Sequence, residues 1–216
     1  MQLDWVSIAV LALAYLFGSI PGGVLVARLY RVDLRRVGSG NIGATNVQRA
    51  LGWGPAIFVA FFDIFKGGIA VWIARFAGVE GWLLGGVAVA AVLGHNFPIT
   101  LRFSGGKGVA TSLGTLLFLD PEVALYSALI GLAVILFTRY VSAGSLTGAV
   151  AAVVLALALA RPDWELVTLA LMAAMLFFTH RENLRRLWRG EERRLGERVR
   201  PDGERARPAE HRGGAG

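Results

Sequence analysis

The chain has 216 residues, 55% of them hydrophobic and 17% charged, with a formal net charge of +7 and no cysteine. So much apolar residue beside so much positive charge does not suit one water-soluble domain; it suits apolar segments in a bilayer with basic residues gathered at one face. Without cysteine there are neither disulfides nor thiolate metal sites.

In chain order, the first apolar segment is Trp5–Leu29, interrupted by Gly18-Ser19-Ile20-Pro21-Gly22-Gly23. It lacks a basic n-region and a cleavage site, so it reads as a retained span rather than a signal peptide. Pro21 is expected to kink it, because proline removes a helix donor and clashes with the preceding turn. Past Arg28, Arg31, Arg35 and Arg36 comes Gly38-Ser39-Gly40-Asn41-Ile42-Gly43-Ala44-Thr45-Asn46, small or polar almost throughout. Such a run packs no core and is penalised in hydrocarbon, but its backbone N–H groups, hydroxyls and amides suit an anion. Thr45-Asn46-Val47-Gln48 has the form of a capping box. A short helix from Asn46 to Leu51, closed by Gly52, would present Asn46 and Arg49 on one face. Free amides at its start and the Arg49 fork both favour phosphate.

The second segment, Trp53–Phe76, carries Asp63 and Lys66 three residues apart, expected to pair across one turn and face the protein interior in a supporting role. The third, Trp82–Phe97, ends at His95-Asn96-Phe97-Pro98, which either lines a site or simply ends the helix. Ser104-Gly105-Gly106-Lys107-Gly108 follows. It is no Walker A loop, since Leu101 stands where the leading glycine belongs and Gly108 where Ser or Thr belongs. Glycines around Lys107 still suggest an anion-binding nest with a point charge in it. Further apolar runs are Val109–Leu119, Val123–Phe137, Leu146–Ala160 and Leu166–Phe178. Between them lie Arg139-Tyr140-Val141-Ser142-Ala143-Gly144-Ser145 and, after the last, Thr179-His180-Arg181-Glu182-Asn183, again of capping-box form. His180 and Asn183 share a helix face, while Glu182 can pair with Arg185 or Arg186 on the outer face.

These segments predict an all-α, polytopic membrane helix bundle of about seven spans, with five as the main alternative. Residues 1–189 form the membrane-embedded domain, and 190–216 a charged, disordered cytoplasmic tail. With seven spans nearly all basic residues fall on one side, leaving only Arg75 and Arg161 on the other. The positive-inside rule then puts the N-terminus outside and the C-terminus in the cytoplasm. All the polar clusters meet on that cytoplasmic face.

The segments GSGNIGATN with Arg49, SGGKGVATSLG and HRENLRRL resemble the three motifs of the bacterial acyl-phosphate:glycerol-3-phosphate acyltransferases. GSIPGG, FFDIFKGG, GHNFP and RYVSAGS are similar to that family too, so the resemblance runs from about Leu13 to Leu195. It implies a seven-helix enzyme of the bacterial inner membrane, active on the cytoplasmic side. Such an enzyme moves an acyl group from acyl phosphate to the 1-hydroxyl of sn-glycerol 3-phosphate, giving lysophosphatidic acid and phosphate. By motif position the catalytic set would be Ser39, Arg49, Lys107, His180 and Asn183. Gly38, Gly40, Asn41, Gly43, Thr45, Asn46, Gly105, Gly106 and Gly108, with Ser142 or Ser145, would bind substrate. Asp63, Lys66, His95, Asn96 and Glu182 would support them.

No cofactor, metal or nucleic acid is implied. The partners are the two phosphorylated substrates and the bilayer; oligomeric state stays open, a monomer being sufficient. The rival reading is a transporter of a phosphorylated small molecule, which would spread ionisable residues towards mid-membrane instead of crowding them at one face.

Overall fold

The computed structural model describes residues 4–197, among which there are ten α-helices. α1 (Trp5–Gly18) and α2 (Gly22–Leu29) are two parts of one apolar segment, broken at Pro21 as expected. α3 (Ala44–Leu51) is short and strongly amphipathic. Then come α4 (Trp53–Phe76), α5 (Gly81–Asn96), α6 (Val109–Leu119), α7 (Pro121–Thr138), α8 (Val141–Ala158), α9 (Asp163–Thr179) and α10 (Arg181–Trp188).

α5 is the centre of the bundle: its Leu84, Val87, Ala88, Ala91 and Val92 are buried against α1, α4 and α9. Large apolar side chains instead point outward, as Phe58, Phe61 and Phe65 do along one face of α4. That inside-out pattern suits a lipid surround, where helices gain by close backbone approach rather than by hiding apolar area. Small residues supply the approach. α7 meets α8 at Gly131 and Gly144, and a Cβ added to Gly131 would lie 2.8 Å from the Gly144 carbonyl oxygen.

Five segments are long and apolar enough to span a bilayer: Trp5–Leu29, Trp53–Phe76, Gly81–Leu101, Pro121–Thr138 and Val141–Ala158. α9 and α10, bent by 63° between them, make a sixth. The seventh expected segment does not meet that measure by its own length. The remaining segment, α6, has 11 residues and at 1.5 Å per residue rises only ~16 Å, against ~30 Å of hydrocarbon. α6 tolerates its shortness by packing closely on α4 and flanking α5 and α7.

Charge is sorted between the two ends. At one end lie α3, the 102–108 loop and α10. At the other, Arg161 bonds Asp120 at 2.6 Å and Glu122 at 2.6 Å, and Arg75 donates to the Leu119 carbonyl at 2.9 Å. Between them Lys66 bonds Asp63 at 2.8 Å and the Ile20 carbonyl at 2.8 Å, pinning the Pro21 break to α4. Losing one partner of such a buried pair costs about 3–5 kcal/mol.

Candidate active site

The loop before α3 is organised by Asn46. Its Oδ1 accepts the Ser39 amide at 2.8 Å, and its Nδ2 donates to the carbonyls of Leu34, Val37 and Asn41 at 3.1, 3.0 and 2.8 Å. Asn46 is therefore the strut of the loop, with no N–H donor left for an anion. Gly38 takes a positive φ of 62° close to that amide, where any side chain would collide with it. α3 starts at Ala44 with Gly43 as its N-cap and no side-chain cap. The capping box read at Thr45 is thus corrected: Thr45 is already in the first turn, where it edges the cavity described next.

The second glycine cluster serves packing. The Gly105 and Gly106 amides donate to the carbonyls of Asn96 and His95, both at 3.0 Å, stapling the loop to the end of α5. A Cβ on Gly106 would strike the His95 ring. The nest expected there is already filled from within. Free amides lie one turn on, in the first turn of α6, whose opening residues Val109 and Ala110 face the cavity.

That cavity, of about 250 Å³, gathers the separated segments. Ser39, Asn41, Gly43, Thr45, Asn46 and Arg49 form one wall, with Lys107 and Gly108 beside them. Ser142 and Ser145 come from α8, His180 and Asn183 from the α9–α10 bend, and Asp63 and His95 reach its floor. Gly38, Gly40, Gly105, Gly106, Lys66 and Asn96 stand behind this lining, and Glu182 is exposed on Arg185 at 3.2 Å. Thr179 does not cap α10; it is the last residue of α9, and its hydroxyl donates to the Lys107 carbonyl at 3.0 Å.

Electrostatics separate the lining groups. Arg49 is buried, yet its guanidinium has no hydrogen bond or ion pair among the described residues. Burial, and then Arg193, lower its pKa. Lys107 donates to Asn183 Oδ1, and burial, then Arg186, pull its pKa down to about 8. His180 Nδ1 lies 2.9 Å from the Leu176 carbonyl, which can only accept, so Nδ1 holds the proton and Nε2 is bare. Burial and the Lys107 charge lower the His180 pKa to about 4, leaving a neutral imidazole at pH 7.

Three charged lining residues were not among the expected site residues: Arg186, Glu192 and Arg193. Glu192 accepts from Ser142 Oγ at 2.9 Å, Asn183 Nδ2 at 2.6 Å and Arg186 Nε at 2.9 Å. It belongs to 190–197, which the sequence assigns to the tail; the domain boundary thus falls inside the site. The rest of that tail, 198–216, lies outside the described residues.

A second, apolar cleft of about 210 Å³ runs between α6, α7, α8 and α9. It shares Val109, Leu113 and Ser145 with the polar cavity and is walled by Leu116, Leu132, Ile135, Ala152, Leu169 and Met172. A strongly cationic pocket therefore opens onto a hydrocarbon-lined one. Together they suit an amphiphile with an anionic head.

Known proteins share this sequence pattern and fold. A profile of the family described as glycerol-3-phosphate acyltransferase matches residues 8–190. A glycerol-3-phosphate acyltransferase of Thermus thermophilus is 72% identical over 189 residues, 88% of this chain and 95% of that one. One from Deinococcus radiodurans is 51% identical over 189 residues, 88% and 96% of the two chains. The crystal structure of PlsY (YgiH), an integral membrane glycerol 3-phosphate acyltransferase in its glycerol 3-phosphate form, superposes with a TM-score of 0.85 at 43% identity. The match covers 88% of this chain and 96% of that one. A second crystal structure of PlsY, the lysophosphatidic acid form, gives a TM-score of 0.83 at 41% identity.

Proposed function

The chain belongs to the glycerol-3-phosphate acyltransferase family, an integral membrane enzyme forming lysophosphatidic acid, and we propose that its acyl donor is acyl phosphate, attacked directly by the 1-hydroxyl of glycerol 3-phosphate. The observation that carries this reading is Arg49, a buried cation with no hydrogen bond or ion pair among the described residues, facing the same cavity as Lys107. A buried charge with no directly bonded partner is costly, so an anion is the expected occupant. Two phosphates must lie close together for the transfer, and Arg49, Lys107 and the first-turn amides of α3 and α6 can offset their repulsion. The adjoining apolar cleft takes the acyl chain.

In the transfer, the acceptor oxygen bonds to the acyl carbonyl carbon, the carbon–oxygen bond to phosphate breaks, and phosphate leaves. Acyl phosphate is a mixed anhydride with a good leaving group, so positioning and fixed charge supply most of the acceleration. His180 Nε2, bare and neutral, accepts a hydrogen bond from the attacking hydroxyl. With a pKa of about 4 it is a weak base, and a phosphate oxygen of the donor takes the proton. Among the described residues, Ser39, Ser142 and Ser145 have no histidine base bonded to them; Ser142 is on Glu192 and Ser145 on the Val141 carbonyl at 2.8 Å, which favours direct transfer over an acyl-serine.

All seven apolar segments cross the bilayer in this reading. The Arg75–Leu119 and Arg161–Asp120 bonds support it, because they bring the far ends of α4, α6 and α8 to one level. The basic end, with the site, then faces the cytoplasm of a bacterial inner membrane. The donor is tested by giving the purified protein in lipid labelled glycerol 3-phosphate with either palmitoyl phosphate or palmitoyl-CoA. Lysophosphatidic acid is expected from palmitoyl phosphate alone; equal product from palmitoyl-CoA would contradict the donor assignment.

A further inference from the structure

We propose that Glu192, in the segment after α10, is a positioning residue for acyl transfer, holding Asn183 and Ser142 towards the alcohol end of the acceptor. The inference rests on the acyl-transfer reading of the cavity. Just past α10, Gly190 takes a φ of 70° and turns the chain back over the site. The returning segment is held by two bonds with Arg139: the Leu195 amide donates to its carbonyl at 2.7 Å, and its Nη2 donates to the Leu195 carbonyl at 3.1 Å. Between the Gly190 turn and Leu195 one carboxylate is inserted. The Glu192 side chain is only 5% exposed, whereas neighbouring Glu191 is exposed.

A buried carboxylate is stable only when its oxygens are satisfied, and here three donors converge on it. Its chemistry settles the direction of each bond. A carboxylate only accepts, so Asn183 must present Nδ2 to Glu192 and Oδ1 to the Lys107 ammonium, which only donates. The Ser142 proton is likewise committed to Glu192, leaving its oxygen lone pairs for a donor in the cavity. An alcohol is such a donor and a phosphate dianion is not. Arg186 neutralises the carboxylate at 2.9 Å, so Glu192 acts on this wall by orienting Asn183 and Ser142 rather than as a free charge. Burial raises the carboxyl pKa, but the bonds from Asn183, Arg186 and Ser142 outweigh this and keep it below the usual range, hence charged.

The test compares wild type with Glu192→Ala, Glu192→Asp, Ser142→Ala and the Glu192→Ala/Ser142→Ala pair, using palmitoyl phosphate and glycerol 3-phosphate. Wild-type turnover checks the underlying reading; an inactive wild type would sink that reading and this one together. Given an active wild type, Glu192→Ala should lose about thirtyfold in kcat, as an ångström-scale misplacement does, and the double variant should be no worse than Glu192→Ala alone. Should Glu192→Ala not fold, Glu192→Asp carries the test, because its carboxylate is withdrawn by one methylene: a loss of about tenfold in kcat is expected. Wild-type or faster turnover by a folded Glu192 variant would overturn the proposal, a faster one marking the segment as a plug. Losses that multiply in the double variant would overturn it as well.

Discussion

A guanidinium keeps its proton in almost any protein setting, whereas an ammonium loses it readily when buried. Arg49 and Lys107 face one cavity and so should differ in pH response. Lys107, with a pKa brought down to about 8, loses its charge as pH rises through that value. The predicted kcat/KM therefore falls above about pH 8, while kcat holds to higher pH because bound phosphates favour the charged form. In Lys107→Arg the alkaline fall should disappear up to about pH 10. An identical fall in that variant would contradict the assignment. Sequence spacing brings both cations into view, yet it cannot say which polar groups are already engaged. Asn46 and the Gly105 and Gly106 amides suit an anion by type, but the fold uses all three internally. Glu192 was hidden for the opposite reason: it sits in a Glu/Arg run where nothing local distinguishes it from Glu191.

Among the elements, α6 and α8 have the most to do with specificity. The deep part of the apolar cleft is bounded by Leu116, Ala152 and Leu169, and Ala152 is the smallest of them. Replacing it by leucine fills that end. A tight core charges about 1–3 kcal/mol for such overpacking, so the protein should still fold. The expected result is a change of chain-length preference: the ratio of kcat/KM for palmitoyl over decanoyl phosphate should drop about tenfold or more. An unchanged ratio would mean that the chain lies elsewhere. The apolar periodicity of these helices is plain in the sequence. Their mutual packing is not, since a glycine such as Gly131 reads the same whether it faces lipid or the Gly144 backbone.

For the molecule as a whole, the sorting of charge between its two ends makes the prediction of sidedness. The site end holds most of the arginines, including Arg36 and Arg189, and the other end holds Glu80 and the Arg161 cluster. The chain has no cysteine, so single introduced ones report without background. Arg36→Cys and Arg189→Cys should react with a membrane-impermeant thiol reagent only after the cytoplasm is opened, and Glu80→Cys from outside in intact cells. The reverse pattern would overturn the orientation. How many segments span was only partly legible beforehand, because an 11-residue helix is judged by its neighbours and not by its own length. At this same scale stands the central claim, that both phosphates meet in one cavity and the acyl group passes directly between substrates. Phosphate release from palmitoyl phosphate by the purified protein, followed with and without glycerol 3-phosphate, tests it most directly. The account predicts one phosphate per lysophosphatidic acid formed and no release without acceptor; an acceptor-independent burst would contradict it.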